Sequence, residues 1–229
     1  MRSRRCSRLG LSAAVFALVV TGCFPPPDRG KAKTGGNDAN PAAVRIGRID
    51  ALDGKAVLIH GDQRIAATAG YPVMAGDRLE TGEGGKVQVT LVDHSVVAIG
   101  GGTTIEVSSL LLDADGSRTG RLSVAIGKFW LHVTQWKKGP SSYEITTPNA
   151  VAGVRGTTLW GDTKVDAICS LDGTVEVRTL KDDAGLAPVA LTAGNCASKL
   201  SEGMLEPLAP SKETIDGYLK EVLIPSAPR

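Results

Sequence analysis

The chain has 229 residues, with 26 lysines and arginines against 24 aspartates and glutamates, a net charge of +2. This balance leaves no basic stripe of the kind that nucleic-acid-binding proteins present, so we expect no nucleic-acid partner. The 28 glycines and the aromatic content of 4% favour small turns and thin layers over a large helical bundle.

Residues 1–22 have the layout of a secretory signal. Arginines precede an apolar run at 9–20, which is shorter than the roughly 20 residues of a membrane span. The run leads into Val-Thr-Gly-Cys at 20–23, which resembles the lipobox of bacterial lipoproteins. The resemblance implies cleavage after Gly22 and a diacylglycerol on the Cys23 thiol. An ordinary signal peptide and an uncleaved anchor are the alternatives.

Loss of this signal changes the charge and leaves a lipidated linker. Four of the 26 basic residues and none of the 24 acidic ones lie in 1–22, so the mature chain has 22 against 24, a net of about −2. Residues 23–42 are polar and lack an apolar period, which predicts a flexible tether. Phe24, and no aspartate, follows Cys23. By the usual sorting rule for lipoproteins, this predicts the outer membrane, facing the periplasm.

Two cysteines remain in the mature body. Cys6 leaves with the signal and Cys23 carries lipid, so Cys169 and Cys196 can pair in an oxidising compartment. The predicted disulfide closes a loop that stabilises the fold by roughly 3–4 kcal/mol in the chain-entropy model. Two buried free thiols are the alternative.

Residues 43–200 read as one all-β domain, because short β-branched runs alternate with Gly- and Asp-rich turns and no helices intervene. The tail, 201–229, contains one predicted helix at 211–223, capped by Ser211, with an apolar face that packs on the β body or on a partner. The predicted strands are 44–46, 56–59, 86–91, 96–99, 103–107, 121–126, 129–133, 143–146, 164–169 and 174–179, with Asp172-Gly173 joining the last two as a hairpin.

Four motifs follow one another in 44–195. They are Gly70-x-x-Val73-x-x-Gly76-Asp77-x-Leu79-x-Thr81, Thr103-x-Ile105-x-Val107, Thr147-Pro148-Asn149-Ala150-Val151-Ala152-Gly153-Val154-Arg155-Gly156-Thr157 and Leu171-Asp172-Gly173-Thr174-Val175-Glu176-Val177. In this order they resemble the periplasmic FecR domain. The resemblance implies a solenoid-like or sandwich-like all-β module that takes part in signalling and protein interaction in the envelope. Regulatory members place an anti-sigma region and a transmembrane helix before this domain. Since nothing precedes the signal here, we expect no anti-sigma segment.

The motif residues have chemistry that suits turns. We expect Gly76 and Asp77 to form a tight turn, with glycine at positive φ and aspartate accepting backbone hydrogen bonds. Pro148 ends a strand, and Gly156, before Thr157, allows close backbone approach. Arg155 offers five donors, and we expect it to pair with Asp77 or Glu144.

The residues give little support for catalysis. The three histidines lack the spacing of metal ligands, and no motif frames a nucleophile. We therefore expect a non-enzymatic protein without metal or cofactor, bound to the membrane by lipid and to an unidentified envelope protein. Trp130 and Trp160 read as core residues, and Trp136 as an exposed ligand contact. A glycan- or peptidoglycan-binding or structural lipoprotein is the alternative function.

Overall fold

The computed structural model describes residues 44–181, 188–202 and 206–227. The predicted signal peptide 1–22, the lipidation site Cys23 and the linker 23–42 lie outside these residues. Within the described part of the chain, strands predominate and one α-helix follows them near the C-terminal end. The elements are β1 (Arg45–Asp53), β2 (Ala56–His60), β3 (Gln63–Ala66), β4 (Pro72–Met74), β5 (Asp77–Thr81), β6 (Lys86–Leu91), β7 (Val96–Ile99), β8 (Thr104–Leu112), β9 (Arg118–Ile126), β10 (Lys128–His132), β11 (Ser141–Thr146), β12 (Ala150–Val154), β13 (Thr158–Asp162), β14 (Ala167–Asp172), β15 (Thr174–Thr179), β16 (Val189–Thr192), β17 (Cys196–Ser198), β18 (Glu206–Leu208) and α1 (Lys212–Val222).

The strands form two nine-stranded sheets. Sheet A has the order β18-β17-β14-β13-β10-β7-β6-β1-β4, and sheet B has the order β16-β15-β12-β11-β9-β8-β5-β2-β3. The chain changes sheet after every one or two strands, so both sheets grow together along the sequence. The predicted all-β fold with one short C-terminal helix is confirmed, and it combines solenoid-like winding with two packed layers.

The main hydrophobic core lies between the sheets. In β6 the predicted alternation places Val87, Val89 and Leu91 in this core, each at most 2% exposed. Alternating strand residues point to opposite faces, so the remaining positions of each strand form the two outer faces. Burial of this apolar surface from both sheets is the largest favourable contribution to the fold.

Two strand predictions were wrong in detail. Residues 164–166 belong to a turn in which Asp166 has φ +54, and the strand begins only at Ala167. Asp172-Gly173 does not close a hairpin, because β14 belongs to sheet A and β15 to sheet B. Gly173, at φ +68, instead carries the chain from one sheet to the other. The turn at Asp172-Gly173 was therefore predicted correctly, but the two strands that it connects do not pair with each other.

Helix α1 covers part of the outer face of sheet A. Ser211 is its N-cap and accepts a hydrogen bond from the Thr214 amide, as the capping signal predicts. The Tyr218 ring stacks on Trp160 with 4.0 Å between centroids and 4° between planes. Trp160 is 1% and Trp130 is 7% exposed. Both tryptophans are therefore packed beneath or beside the helix and are not free to stack on a sugar ring.

The predicted disulfide is confirmed on the same face. Cys169 in β14 lies opposite Cys196 in β17, and their sulfur atoms are bonded. Both cysteines are fully buried and belong to the apolar cluster that contains Trp130 and Trp160. The bond joins sheet strands that are 27 residues apart in sequence, close to the edge where β18 ends sheet A.

Candidate functional site

A buried ion pair connects the two sheets. Asp93 lies in the turn between β6 and β7 of sheet A, and Arg118 begins β9 of sheet B. The Nη1 atom of Arg118 is 2.5 Å from Oδ2 of Asp93, and neither side chain is exposed. Isolated buried charges are very costly, so such a pair persists only when the remaining polar atoms are also satisfied.

Every side-chain nitrogen and oxygen atom of this pair has a hydrogen-bond partner. Asp93 accepts hydrogen bonds from the Tyr143 hydroxyl at 2.6 Å and from the amide and hydroxyl of Ser95, each at 3.0 Å. Arg118 donates through Nε to Ser141 Oγ at 2.7 Å and through Nη2 to the Thr134 carbonyl. We call Asp93, Ser95, Arg118, Ser141 and Tyr143 the polar junction.

Burial raises the pKa of Tyr143 far above its ordinary value, and the charge and hydrogen bond of Asp93 raise it further. The phenol therefore stays protonated and acts as a donor. Every side chain of the polar junction forms hydrogen bonds within the chain. The junction therefore has a structural role, which is to hold the two sheets together.

Two backbone features allow the junction to form. Tyr143 lies opposite Gly120 in the parallel pair of β9 and β11, and a Cβ on Gly120 would collide with the Tyr143 ring. His94 adopts φ +68 between Asp93 and Ser95, a conformation that is uncommon for a residue other than glycine.

Trp136 covers the junction from the loop after β10. Its Nε1 atom donates to the Gly116 carbonyl at 2.5 Å. The Arg118 guanidinium lies 5.0 Å and the Lys138 ammonium 5.6 Å from the ring centroid. The half-buried ring is thus held by cation–π and hydrogen-bond contacts within the chain. An external contact through Trp136 stays a prediction.

The residues of the first motif lie in a turn and a strand. Gly76 has φ +83, and Asp77 accepts a hydrogen bond from the Met74 amide at 2.8 Å. Asp77 also lies 2.5 Å from Nδ1 of His60. Thr81 donates to the Gly100 carbonyl at 2.6 Å and accepts from the Thr103 amide. The side chains of Asp77 and Thr81 thus have polar partners within the fold.

The residues of the second motif form two successive bends. Pro148 lies in a turn closed by the Thr147 amide, which donates to the Ala150 carbonyl at 2.8 Å. Gly156 has φ +66, but a Cβ there would meet Gln135 only at an ordinary 3.4 Å. Glycine is thus needed for its backbone angle, not for the close approach that we expected. The Thr157 hydroxyl donates to the Asp172 carbonyl.

The predicted ion pair of Arg155 was wrong. Arg155 is exposed and forms no ion pair with Asp77 or Glu144 in the described residues. The buried arginine that ties the two sheets together is Arg118, which the motifs did not reveal. A signal was present, because Arg118 has the same strand parity as the buried Leu122 and Val124 of β9.

Arg155 instead lies between two depressions on the outer face of sheet B, which we call together the trough. One has a volume of about 390 Å³ and the other about 300 Å³, and both are lined by Ser142 and Arg155. The other lining residues are Gly153, Val154, Thr174 and Glu176 on one side, and Ser117, Arg118, Thr119, Pro140 and Ser141 on the other.

The described residues contain no cluster of three or more histidine, cysteine or acidic side chains arranged to hold a metal ion. In the same residues, no helix has the length and apolar character needed to cross a membrane.

The solved structures that are similar to this chain include two crystal structures, at 1.65 and 2.50 Å resolution, of a protein from Parabacteroides distasonis ATCC 8503 whose proposed role is that of an anti-sigma factor. The identity is 17% for both and the TM-scores are 0.47 and 0.48; the match covers 62% of this chain and 64% or 63% of the other. This chain thus spans slightly less than two thirds of their length. No curated protein matches the chain.

Comparison with family models gives a match that coincides with most of the β body. The model is described as FecR protein, and it matches residues 77–183. These residues begin at Asp77 and extend past the end of β15, and they include the whole polar junction and all the residues that line the trough. The chain therefore contains a FecR domain over residues 77–183.

Proposed function

We propose that this chain is a non-enzymatic lipoprotein of the cell envelope whose FecR domain acts as a protein-interaction or sensing module. The FecR match at 77–183 is the observation that carries the proposal. The lipobox-like sequence at 20–23 supports export and attachment through Cys23. If residues 23–42 form the tether that the sequence predicts, its expected r.m.s. span is roughly 25 Å, which would let the domain stand clear of the lipid headgroups.

The chemistry of the domain supports a binding role over a catalytic one. The strongly buried ionisable groups Asp93 and Arg118 are committed to each other and to the polar junction. An acid, base or nucleophile must reach a substrate to act on it. By contrast, the outer face of sheet B presents charged and hydroxyl groups that can contact a partner without any further rearrangement.

The attachment is tested by mass spectrometry of the mature protein and by membrane fractionation. We expect the first peptide to begin at a diacylated Cys23, and the Cys23→Ala variant to leave the outer-membrane fraction. Recovery of an unmodified Cys23, or of wild-type protein in the soluble periplasmic fraction, would contradict lipidation. Cys6→Ala is the matched control, since that cysteine lies in the part removed with the signal.

The interaction role is tested by photo-cross-linking on intact cells. A benzophenone amino acid at position 119 or 174, beside Arg155, should yield a discrete protein adduct. The same group at Val165, which is exposed in the β13–β14 turn, is the control position. No adduct from either site on sheet B under varied growth conditions would count against an interaction module. Specific binding to isolated peptidoglycan without a protein adduct would favour the glycan-binding alternative.

A further inference from the structure

We infer that the trough around Arg155 binds a carboxylate of an extended acidic peptide segment on a partner protein. The inference deepens the proposed interaction role and rests on it. Arg155 is exposed and has no hydrogen bond or ion pair among the described residues. A guanidinium has five donors in a planar fork that matches a carboxylate in bidentate geometry.

The surroundings of Arg155 leave this fork accessible. Gly153 of β12, two residues before Arg155, has no side chain, and a Cβ there would meet nothing closer than 3.8 Å. Ser142 and Thr174 flank Arg155 on the neighbouring strands and contribute hydroxyl groups to the lining. The second depression adds Ser117, Thr119 and Ser141 and contains no acidic residue. An anion placed there meets the exposed guanidinium of Arg155 and several hydroxyl donors, and the buried Arg118 adds a second positive charge to the lining.

Glu176 restricts the class of anion. It lines the larger depression together with Arg155 but forms no ion pair with it. The negative charge of Glu176 disfavours ligands that carry several negative charges, such as polyphosphates. The same carboxylate is a good acceptor for backbone amides. An extended peptide with one acidic residue supplies both a single carboxylate for Arg155 and backbone N–H donors for Glu176.

The shape of the trough also fits a peptide. It crosses β9, β11, β12 and β15, which are consecutive in sheet B, and three strand spacings amount to about 14 Å. That distance accommodates about four residues of extended chain. No aromatic side chain lines either depression, so the stacking platform that commonly binds sugar rings is missing from the trough.

The test uses the full chain in detergent micelles and NMR signals of the arginine Nε–H groups. The probes are the blocked tetrapeptide acetyl-Gly-Glu-Gly-Gly-amide and its glutamine counterpart. We expect a saturable shift of the Arg155 signal with the glutamate peptide, with a Kd on the order of 1 mM, and at least tenfold weaker binding of the glutamine peptide. Equal binding of the two peptides, or no binding, would overturn the inference.

Variants show whether the trough is responsible. Arg155→Gln should abolish the response, and Arg155→Lys should weaken it severalfold, because lysine keeps the charge but loses the fork. Arg178→Gln is the matched control: Arg178 is exposed in β15 of the same sheet but does not line either depression. Retained binding in Arg155→Gln, or equal loss in Arg178→Gln, would contradict the assignment.

Two further probes separate possible sources of the anion. The peptide acetyl-Gly-Gly-Gly with a free terminal carboxylate asks whether a chain terminus binds as well as a side chain does. Inorganic phosphate that competes more strongly than the glutamate peptide would make the trough a general anion site and refute the peptide inference. If the peptides fail while the photo-cross-linked partner persists in Arg155→Gln, the trough is excluded but the proposed interaction function stands.

Discussion

The polar junction and the trough use the same residue types in opposite ways. Arg118 is buried with Asp93, Tyr143 and Ser141, whereas Arg155 is exposed beside Ser142 and Thr174. Ser141 and Ser142 are neighbours in β11 and both line the trough, but Ser141 also accepts a hydrogen bond from the buried Arg118, whereas Ser142 lies beside Arg155. Strand alternation therefore separates a structural arginine from an available one over a single residue step. Arginine at a motif position does not by itself indicate which role it has.

The largest expected difference between the two regions concerns stability. Asp93→Ala leaves Arg118 buried without its counter-charge, and breaking a buried pair in this way costs about 3–5 kcal/mol. Arg155→Gln changes an exposed side chain without partners and should stay within about 0.5 kcal/mol of wild type. Urea unfolding of the full chain measures both. Equal free energies of unfolding for the two variants would remove the distinction between junction and trough.

The sequence predicted the architecture better than the junction. Turn residues and alternation identified the all-β body, the helix cap at Ser211 and the cysteine pair, since each depends on a local pattern or on counting. The junction brings positions 93, 118 and 143 together through sheet pairing. β9 and β11 are direct parallel neighbours in sheet B, although β10, which lies between them in sequence, belongs to sheet A. Such pairing is not encoded in any local window, so Arg155 was chosen in place of Arg118.

A second change lowers stability without touching either region. Replacing Cys169 and Cys196 with serine opens the 27-residue loop and should cost about 3–4 kcal/mol. The disulfide lies in the cluster beneath α1, away from sheet B. Peptide binding by the trough should therefore be unchanged at temperatures where the variant is folded. Parallel loss of binding and stability would show that the trough depends on sheet A.

Within the junction, the Tyr143 hydroxyl should have a smaller effect than the carboxylate. Tyr143→Phe removes a hydrogen bond to a charged acceptor, a change of about 1.5–3 kcal/mol, but Asp93 keeps Arg118 and Ser95 as partners. The aromatic ring and its packing against Gly120 are retained. Urea unfolding at neutral pH gives the value, and a loss as large as that of Asp93→Ala would contradict the order of importance.

The same tyrosine predicts a dependence on pH. Its pKa is raised in the folded state, so the folded protein keeps this proton at pH values at which the unfolded chain releases it. The contribution to stability is therefore complete below the ordinary tyrosine pKa of about 10 and is lost as pH rises above it. The difference in unfolding free energy between wild type and Tyr143→Phe should shrink between neutral pH and pH 11. A constant difference would contradict burial of the hydroxyl.

The smallest expected effect tests how the turn positions the junction. His94 occupies a left-handed conformation at φ +68, which costs a non-glycine residue about 1–2 kcal/mol, while glycine adds about 0.4–1 kcal/mol of chain entropy to the unfolded state. His94→Gly should therefore stabilise the protein by about 0.5 kcal/mol. Because the His94 carbonyl accepts its bond from the Thr134 hydroxyl at 2.8 Å, the substitution keeps that contact. A clear destabilisation would mean that the imidazole itself supports the turn, and the junction would then extend further toward the surface than its buried side chains indicate.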